Sequence, residues 1–250
     1  MEIRLGKPGP LGIVATVLVL GGGGMAWMDG REVDAQPDRC DPLRETCEAL
    51  AGAPRPDAPP PAMAASDFCV NVGYLCAPLE QRSETQLRRW RDHQGTIVVH
   101  VPLPPDEDPT VARDLQRAAA QGIRAWHNQP FPILADLRGD RSPHFSVTWS
   151  QGMGGSQIGL ARTRWSHATG LTVESIELST RYPGQPYDPA QSHQIRLTAA
   201  HEMGHALGLG HSDNRRDVMY PTNTATSMSA QDFRSIEVLY ETPDGTVIRR

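Results

Sequence analysis

The stretch His201–His211 reads His-Glu-Met-Gly-His-Ala-Leu-Gly-Leu-Gly-His, and its spacing predicts a helix that ends in a sharp turn. His201 and His205 are four residues apart, so a helix of about 3.6 residues per turn puts both imidazoles on one face. Gly208 falls where the chain has to leave the helix, because glycine readily adopts the left-handed conformation that ends helices. The reversal would bring His211 beside the other two histidines.

Three imidazoles around one point are a ligand set that zinc favours. Three protein ligands leave the fourth coordination position of zinc open, which is typical of catalytic sites, whereas in structural sites protein ligands occupy all four positions. Glu202 lies next to the first histidine, within reach of a water at the open position, and could act as a general base. A solvated, histidine-rich helix end is the alternative, which the length and regularity of the pattern disfavour.

Met219 lies eight residues beyond His211, in Asp217-Val218-Met219-Tyr220-Pro221. Together with the histidine pattern, it resembles the Met-turn of the metzincin metallopeptidases. Ser212 and the Tyr-Pro pair after the methionine resemble the matrixin branch, the group similar to matrix metalloproteinases. The resemblance covers about residues 96–241. It implies an α+β fold of the metzincin (zincin-like) type: a twisted, mixed five-stranded sheet, three helices, and an active-site helix that carries the HExxH motif.

The same resemblance implies a zinc-dependent endopeptidase that acts on polypeptides. One Zn²⁺ would be held by His201, His205 and His211, with Glu202 as the general base and Met219 as an apolar floor beneath the histidines. We also expect a monomer. A protein of another class stays open: a zinc-binding envelope protein that is catalytically silent, or one restricted to a single substrate. The intact motif residues disfavour the silent form.

An edge strand is predicted to bind the substrate. In matrixins a Gly-rich loop leads to a strand that borders the cleft, and Leu160-Ala161 stands at the matching place after Gly152–Ser156. Such an edge can take an extended peptide as an added antiparallel strand, although an ordinary core strand would have the same composition. Matrixins also carry ligands for calcium and a second zinc around this loop. Here the loop contains no aspartate, so we predict one zinc ion and leave calcium open.

Residues 1–26 are typical of an export signal. Arg4 and Lys7 precede an apolar run, Leu11–Leu20, as in a secretory signal peptide; an uncleaved membrane anchor is the alternative. Either predicts a folded part outside the cytoplasm, secreted or in the periplasm or cell envelope. The predicted parts of the chain are a Cys-containing, Pro/Ala-rich lead-in or propeptide-like region at 27–94, a matrixin-like catalytic domain at 95–241 and a short tail at 242–250.

The four cysteines form two pairs with equal offsets of seven residues: Cys40 with Cys47, and Cys69 with Cys76. An even number in an exported chain indicates two disulfides, of which these local pairs are the simplest arrangement, although sequence leaves the connectivity open. Matrixin zymogens use a cysteine as a temporary zinc ligand, and Pro37-Asp38-Arg39-Cys40 offers this alternative. The match to that motif is incomplete, because Asp38 is inserted.

The net charge of −5 and the pI near 6.0, with no basic stripe and no Gly-rich phosphate loop in the sequence, predict no nucleic-acid partner. Local patterns predict strands at Thr96–Val101, Ile133–Leu137, His144–Trp149, Ile158–Thr163 and Leu171–Leu178, and helices at Pro109–His127, at Gln194–Leu209 and after a capping box at Ser229–Asp232. In that last helix, Phe233, Ile236 and Leu239 are predicted to form one apolar face.

Overall fold

The structure, a computed structural model, describes residues 61–91, 95–105, 107–127, 129–153, 157–181, 188 and 190–250. They belong to one compact unit, Pro54–Arg250. The predicted export segment, Cys40 and Cys47 lie outside the described residues. None of the described helices is both long and apolar enough to cross a bilayer.

The elements follow one another in this order: β1 Ala62–Ala64, α1 Ala65–Phe68, a 3₁₀ turn Ala77–Glu80, β2 Glu84–Gln86, β3 Ile97–His100, α2 Pro109–Ile123, a 3₁₀ turn Arg124–Trp126, β4 Ile133–Asp136, β5 Phe145–Ser150, β6 Gly159–Ser166, β7 Gly170–Ser179, α3 Ala190–Ala206, α4 Ala230–Glu241 and β8 Val247–Arg249. The three predicted helices and the five predicted strands are all present, with shifted ends. The motif helix α3 begins before the predicted Gln194, and β6 extends beyond the predicted Thr163.

The main sheet has five strands in the order β4-β3-β5-β7-β6. All neighbours are parallel except β6, which is antiparallel to β7. This confirms the predicted mixed five-stranded sheet of an α+β fold. Because β6 is the last strand in the order, its outer edge is not paired within the sheet, and backbone groups on such an edge can bind an added strand.

Helix α3 is held in place by α2 and by the sheet. Asp108 caps the N-terminus of helix α2: its carboxylate accepts hydrogen bonds from the N–H groups of Thr110 and Val111, at 2.8 and 3.4 Å. Helix α2 packs along α3, which also packs against β6 and β7. Just beyond α2, the fully buried Trp126 donates its indole N–H to the Ala200 carbonyl at 2.7 Å. These contacts position the helix that carries the histidine motif.

Part of the predicted lead-in, residues 61–91, packs against the same core. Residues 61–91 bury the apolar side chains Phe68, Val72, Tyr74, Leu75, Leu79 and Leu87. Cys69 and Cys76 form a disulfide. The apolar residues of this segment follow neither a helical nor a strand period, so sequence patterns do not predict their burial.

The C-terminal tail also forms a strand. β8 lies between β1, to which it is parallel, and β2, to which it is antiparallel. The pairing of Ala62 with Val247 joins residues far apart in sequence, a contact that no local pattern encodes. The two ends of the described chain are therefore tied together in a second, three-stranded sheet.

The last helix, α4, starts with the predicted capping box. The hydroxyl of Ser229 accepts from the Asp232 N–H at 3.0 Å, and the Asp232 carboxylate accepts from the Ser229 N–H at 2.8 Å. Ile236 and Leu239 are buried, as predicted, whereas Phe233 is 36% exposed. The buried face of α4 is therefore narrower than the sequence pattern indicated.

Candidate metal centre and active-site cleft

The last turn of α3 closes at Gly208. The Gly208 N–H donates to the His205 carbonyl at 3.0 Å, and the Leu209 N–H donates to the Gly204 carbonyl at 3.0 Å. This pair of bonds forms a Schellman turn, and the φ of 105° at Gly208 is the left-handed value that such a turn needs. The turn sends the chain back along the helix and places His211 beside it.

The three histidines meet at one point. Nε2 of His205 lies 3.1 Å from Nε2 of His201 and 3.2 Å from Nε2 of His211. Nitrogen ligands at about 2.0–2.1 Å from a tetrahedral zinc ion lie about 3.3 Å from one another. The spacing of the imidazoles therefore fits a single zinc ion, with one position left for another ligand. Among the residues that the structure describes, this is the only cluster of three or more His, Cys, Asp or Glu side chains with such geometry.

Backbone carbonyls hold two of the rings in this orientation. Nδ1 of His201 lies 2.7 Å from the Val218 carbonyl, and Nδ1 of His205 lies 2.8 Å from the Leu209 carbonyl. A carbonyl only accepts, so each Nδ1 carries the proton and each Nε2 offers its lone pair. Burial lowers the pKa of His201, and it lowers the pKa of His205 to about 3. Both rings are therefore neutral, which is the form that binds metal.

Met219 packs against α3 on the turn that follows the histidines. Its side chain is fully buried. A Cβ built on Gly204 would lie 2.3 Å from the Met219 sulfur, so the sulfur approaches the helix backbone between the first two histidines of the motif. The Met219 carbonyl accepts from the Ser212 N–H at 2.9 Å, which joins this turn to the residue after His211.

A carboxylate outside the motif holds the same turn. Asp232 is fully buried and accepts hydrogen bonds from the N–H groups of Val218, at 3.0 Å, and Met219, at 3.4 Å. Tyr74, from the N-terminal segment, donates its hydroxyl to Asp232 at 3.1 Å. Burial above all, and then the nearby Asp232 charge, raise the pKa of Tyr74, so its hydroxyl stays protonated. The N-terminal segment is thereby connected to the backbone that orients His201.

Glu202 lies beneath the first residues of β6. Its side chain is buried, and a Cβ built on Gly159 would lie only 2.6 Å from its Oε1 atom. A residue with a side chain at this position would therefore displace either β6 or the carboxylate. Burial raises the pKa of Glu202 to about 7, and a hydrogen bond from the Ala161 backbone acts in the opposite direction. A pKa near neutrality suits a group that takes up and returns a proton.

A cleft of about 1140 Å³ runs past the histidines and along β6. Leu160 and Ala161, the predicted substrate-strand residues, both line it. So do the three histidines and Glu202. Near the start of β6 the cleft is lined by Gln191, Gln194, Thr198, Pro221, Thr222 and Asn223, and along the rest of β6 by Arg88, Thr163, Trp165 and Leu171.

Sequence reasoning missed three residues that build this site. Asp232 was predicted only as part of a capping box, and nothing in that motif indicates that its carboxylate also binds the turn before it. Gly159 was taken as an ordinary strand residue. Arg88 lies in the segment predicted as a lead-in, so no local signal connected it to the cleft.

Residues 107–241, more than half of the chain, match the family model described as Matrixin. The chain belongs to the matrixin family. This matrixin is 42% identical over 173 residues to Matrix metalloproteinase-26 of Homo sapiens, in an alignment that covers 61% of the chain and 59% of that relative. It is 46% identical over 59 residues to Macrophage metalloelastase of Rattus norvegicus, which covers 21% of the chain and 12% of the relative. It is 43% identical over 60 residues to the 72 kDa type IV collagenase of Gallus gallus, which covers 22% and 9%.

The chain thus spans less than two thirds of each of these relatives. Family membership confirms the resemblance seen in the sequence and the metzincin-type fold. Matrixins are zinc-dependent, and in this matrixin the three histidines could hold the metal. Residues 61–91 and 242–250 lie outside the matched range, yet they pack against it.

Proposed function

We propose that this matrixin is a zinc-dependent endopeptidase with His201, His205 and His211 as metal ligands and Glu202 as the general base. The observation that carries the proposal is the convergence of three imidazole Nε2 atoms in the same cleft as a buried carboxylate. The histidine nitrogens and the Glu202 carboxylate both lie beside the unpaired edge of β6, which can bind an extended peptide. The family assignment supports the reaction class.

The histidine nitrogens support one bound Zn²⁺. When bound, Zn²⁺ would polarise the scissile carbonyl as a Lewis acid and lower the pKa of a water that it binds. The protein supplies the fixed geometry: the Val218 and Leu209 carbonyls orient the rings of His201 and His205. His211 completes the set because the Gly208 turn returns the chain.

Glu202 would move the proton during the reaction. Its carboxylate would take a proton from the attacking water and pass it to the nitrogen of the leaving amine. Burial raises its pKa to about 7, and a pKa near the working pH is typical of groups that both accept and return a proton. Met219 makes no contact with substrate in this scheme; it supports α3 from below.

The substrate would be an extended polypeptide that pairs with the free edge of β6. Leu160 and Ala161 lie beside Glu202 on this strand, so backbone hydrogen bonds to them would hold the scissile bond near the carboxylate. An antiparallel arrangement puts the residues upstream of the scissile bond toward the C-terminal end of β6. The peptide residues downstream of the scissile bond then face the polar side chains of Gln194, Thr198 and Asn223, which line the other part of the cleft.

The remaining proposals concern the whole protein. We propose one zinc ion and leave calcium open, since the histidine cluster alone has metal-binding geometry in the described part of the chain. Secretion, or residence in the periplasm or cell envelope, follows from the signal-like residues 1–26 and agrees with the Cys69–Cys76 disulfide. Membrane attachment would require that segment to stay uncleaved. We also propose that the protein is a monomer and that Cys40 and Cys47 form a second disulfide bond.

The test compares the full-length protein with its Glu202→Ala variant. Wild type should bind one zinc ion per chain and cleave a denatured protein, and a chelator should stop cleavage. Glu202→Ala should keep zinc and lose at least about a hundredfold in kcat/KM. Glu237→Ala, which removes an exposed glutamate on α4, is the matched control and should cleave normally. Zinc binding without cleavage of any substrate would favour the catalytically silent alternative, and unchanged cleavage by Glu202→Ala would exclude the general-base role.

A further inference from the structure

Arg88, the first residue of the segment Arg88–Arg91 (Arg-Arg-Trp-Arg), lines one wall of the cleft although the segment lies outside the residues that match the family. A Cβ built on Gly208 would lie 2.1 Å from the Arg88 carbonyl oxygen, so the segment touches the turn that ends α3. On its other side, the Arg89 carbonyl accepts from the Leu171 N–H at 2.9 Å. The segment is therefore held between the metal centre and β7.

Asp244, from the C-terminal tail, anchors this wall. Its carboxylate, only 3% exposed, accepts from the backbone N–H of Arg89 at 2.9 Å and from the guanidinium of Arg91 at 2.9 Å. It also accepts from the indole N–H of Trp165 at 3.0 Å, at the far end of β6. One buried carboxylate thus joins the arginine segment to the substrate strand, so the wall has a fixed position relative to β6.

The charge of Arg88 has no carboxylate partner among the described residues. Its guanidinium lies over the Trp165 ring, 5.4 Å from the ring centroid, and its Nε donates to the Gln86 side chain at 3.2 Å. Arg91 pairs with Asp244, by contrast, and Arg164 on the same strand end pairs with Glu174. Arg88 is exposed and lines the cleft, so a cationic group faces the space that a substrate would occupy.

The strand register places Arg88 upstream of the scissile bond. Glu202 lies beside Gly159 and Ala161, whereas Trp165, beneath Arg88, lies four residues beyond Ala161. At about 3.3 Å per residue, this separation is about 13 Å, or about four residues of an extended peptide. In a peptide that runs antiparallel to β6, the residues near the guanidinium would therefore be the third to fifth residues before the scissile bond.

We propose that Arg88 and Trp165 form an upstream subsite that selects polypeptides with an acidic side chain about four residues before the scissile bond. The proposal rests on the endopeptidase function and on the antiparallel binding mode stated above. The guanidinium, held over the indole ring, would form a charge-assisted hydrogen bond with a Glu or Asp carboxylate. Because the subsite is exposed, its contribution would be modest and sensitive to salt.

Two measurements with the full-length protein test this subsite. The first compares kcat/KM for quenched fluorescent peptides that carry Glu, Gln or Lys at the third, fourth and fifth upstream positions. Wild type should favour Glu over Gln by about two- to fivefold at one of these positions, and the ratio should fall at about 1 M salt. The second measures binding of peptides of the same sequences, carrying the fluorophore without the quencher, by zinc-loaded Glu202→Ala; fluorescence anisotropy should give the same order of affinities without any cleavage.

Three variants decide whether Arg88 is responsible. Arg88→Gln should abolish the ratio between Glu and Gln peptides, and Arg88→Glu should make Lys the preferred residue. Arg82→Gln removes an exposed arginine that lies six residues before Arg88 and does not line this cleft, so it should keep the wild-type preference. Equal kcat/KM for Glu and Gln peptides in wild type, or a preference that survives in Arg88→Gln, would overturn the proposal. If no peptide is cleaved, the endopeptidase function fails, and the anisotropy measurement still decides the subsite: equal affinities, or no binding, would count against it.

Discussion

Replacing Tyr74 by Phe would remove a single hydroxyl from the contact between the N-terminal segment and the turn that orients His201. The ring would stay in its buried place, so no cavity opens. The hydroxyl donates to the Asp232 carboxylate at 3.1 Å. A hydrogen bond to a charged group contributes about 1.5–3 kcal/mol, and about 1 kcal/mol corresponds to 2–4 °C in a domain of about this size. We therefore expect the melting temperature, measured by calorimetry with saturating zinc, to fall by about 3–12 °C.

The matched control is Tyr240→Phe. Its hydroxyl donates to the Leu207 carbonyl at 2.9 Å and accepts a long hydrogen bond from the Trp90 N–H at 3.4 Å. Both partners are neutral and the second bond is too long to add much, so the expected loss is about 0.5–1.5 kcal/mol. Tyr74→Phe should therefore be the more destabilised of the two variants at equal zinc. If Tyr74→Phe melts within about 1 °C of wild type, or above Tyr240→Phe, then the hydrogen bond from Tyr74 to the Asp232 carboxylate does not stabilise the fold.

Two further predictions concern backbone conformation and pH. Gly208→Ala would place a side chain at a φ of 105° and against the Arg88 carbonyl. We therefore expect the free energy of unfolding, measured with denaturant, to fall by about 1–3 kcal/mol and cleavage to be reduced. Gly210→Ala is the control, because a Cβ there would meet nothing within 4 Å; equal effects of the two substitutions would contradict this geometry. Backbone N–H groups of Arg138, Arg141 and Gly139 donate to Asp136 and lower the pKa of its carboxyl. The stabilisation by the charged carboxylate is present above the pKa that Asp136 has in the unfolded chain, and it is lost as the pH falls through the lowered pKa of the folded protein. The melting temperature of Asp136→Asn should therefore lie below that of wild type at pH 7, and the difference should shrink below about pH 4. A difference that does not change with pH would show that the charge is not responsible.

The elements of the main domain were predictable because each depends on neighbours in sequence. The apolar spacing of α2, the cap at Asp108 and the alternation in the strands are all local signals, and the structure has the corresponding elements. The ends shifted where tertiary contacts extend an element, as in β6, whose last residues pair with the start of β7. Phe233 was predicted to be buried from spacing alone, but spacing does not specify how wide a face the neighbouring elements cover.

The site divides in the same way. The positions of His201 and His205 on one face of α3, and the turn at Gly208, depend on helix periodicity and on the conformational freedom of glycine, so the sequence by itself determined them. The links from Tyr74 to Asp232 and from Arg89 to Asp244 join residues 158 and 155 positions apart. Such contacts exist only once burial has brought distant segments together, and no local spacing reports them. Only the tertiary structure therefore decided that Arg88 lines the active-site cleft, and that residues 61–91 and the C-terminal tail pack against the domain that carries it.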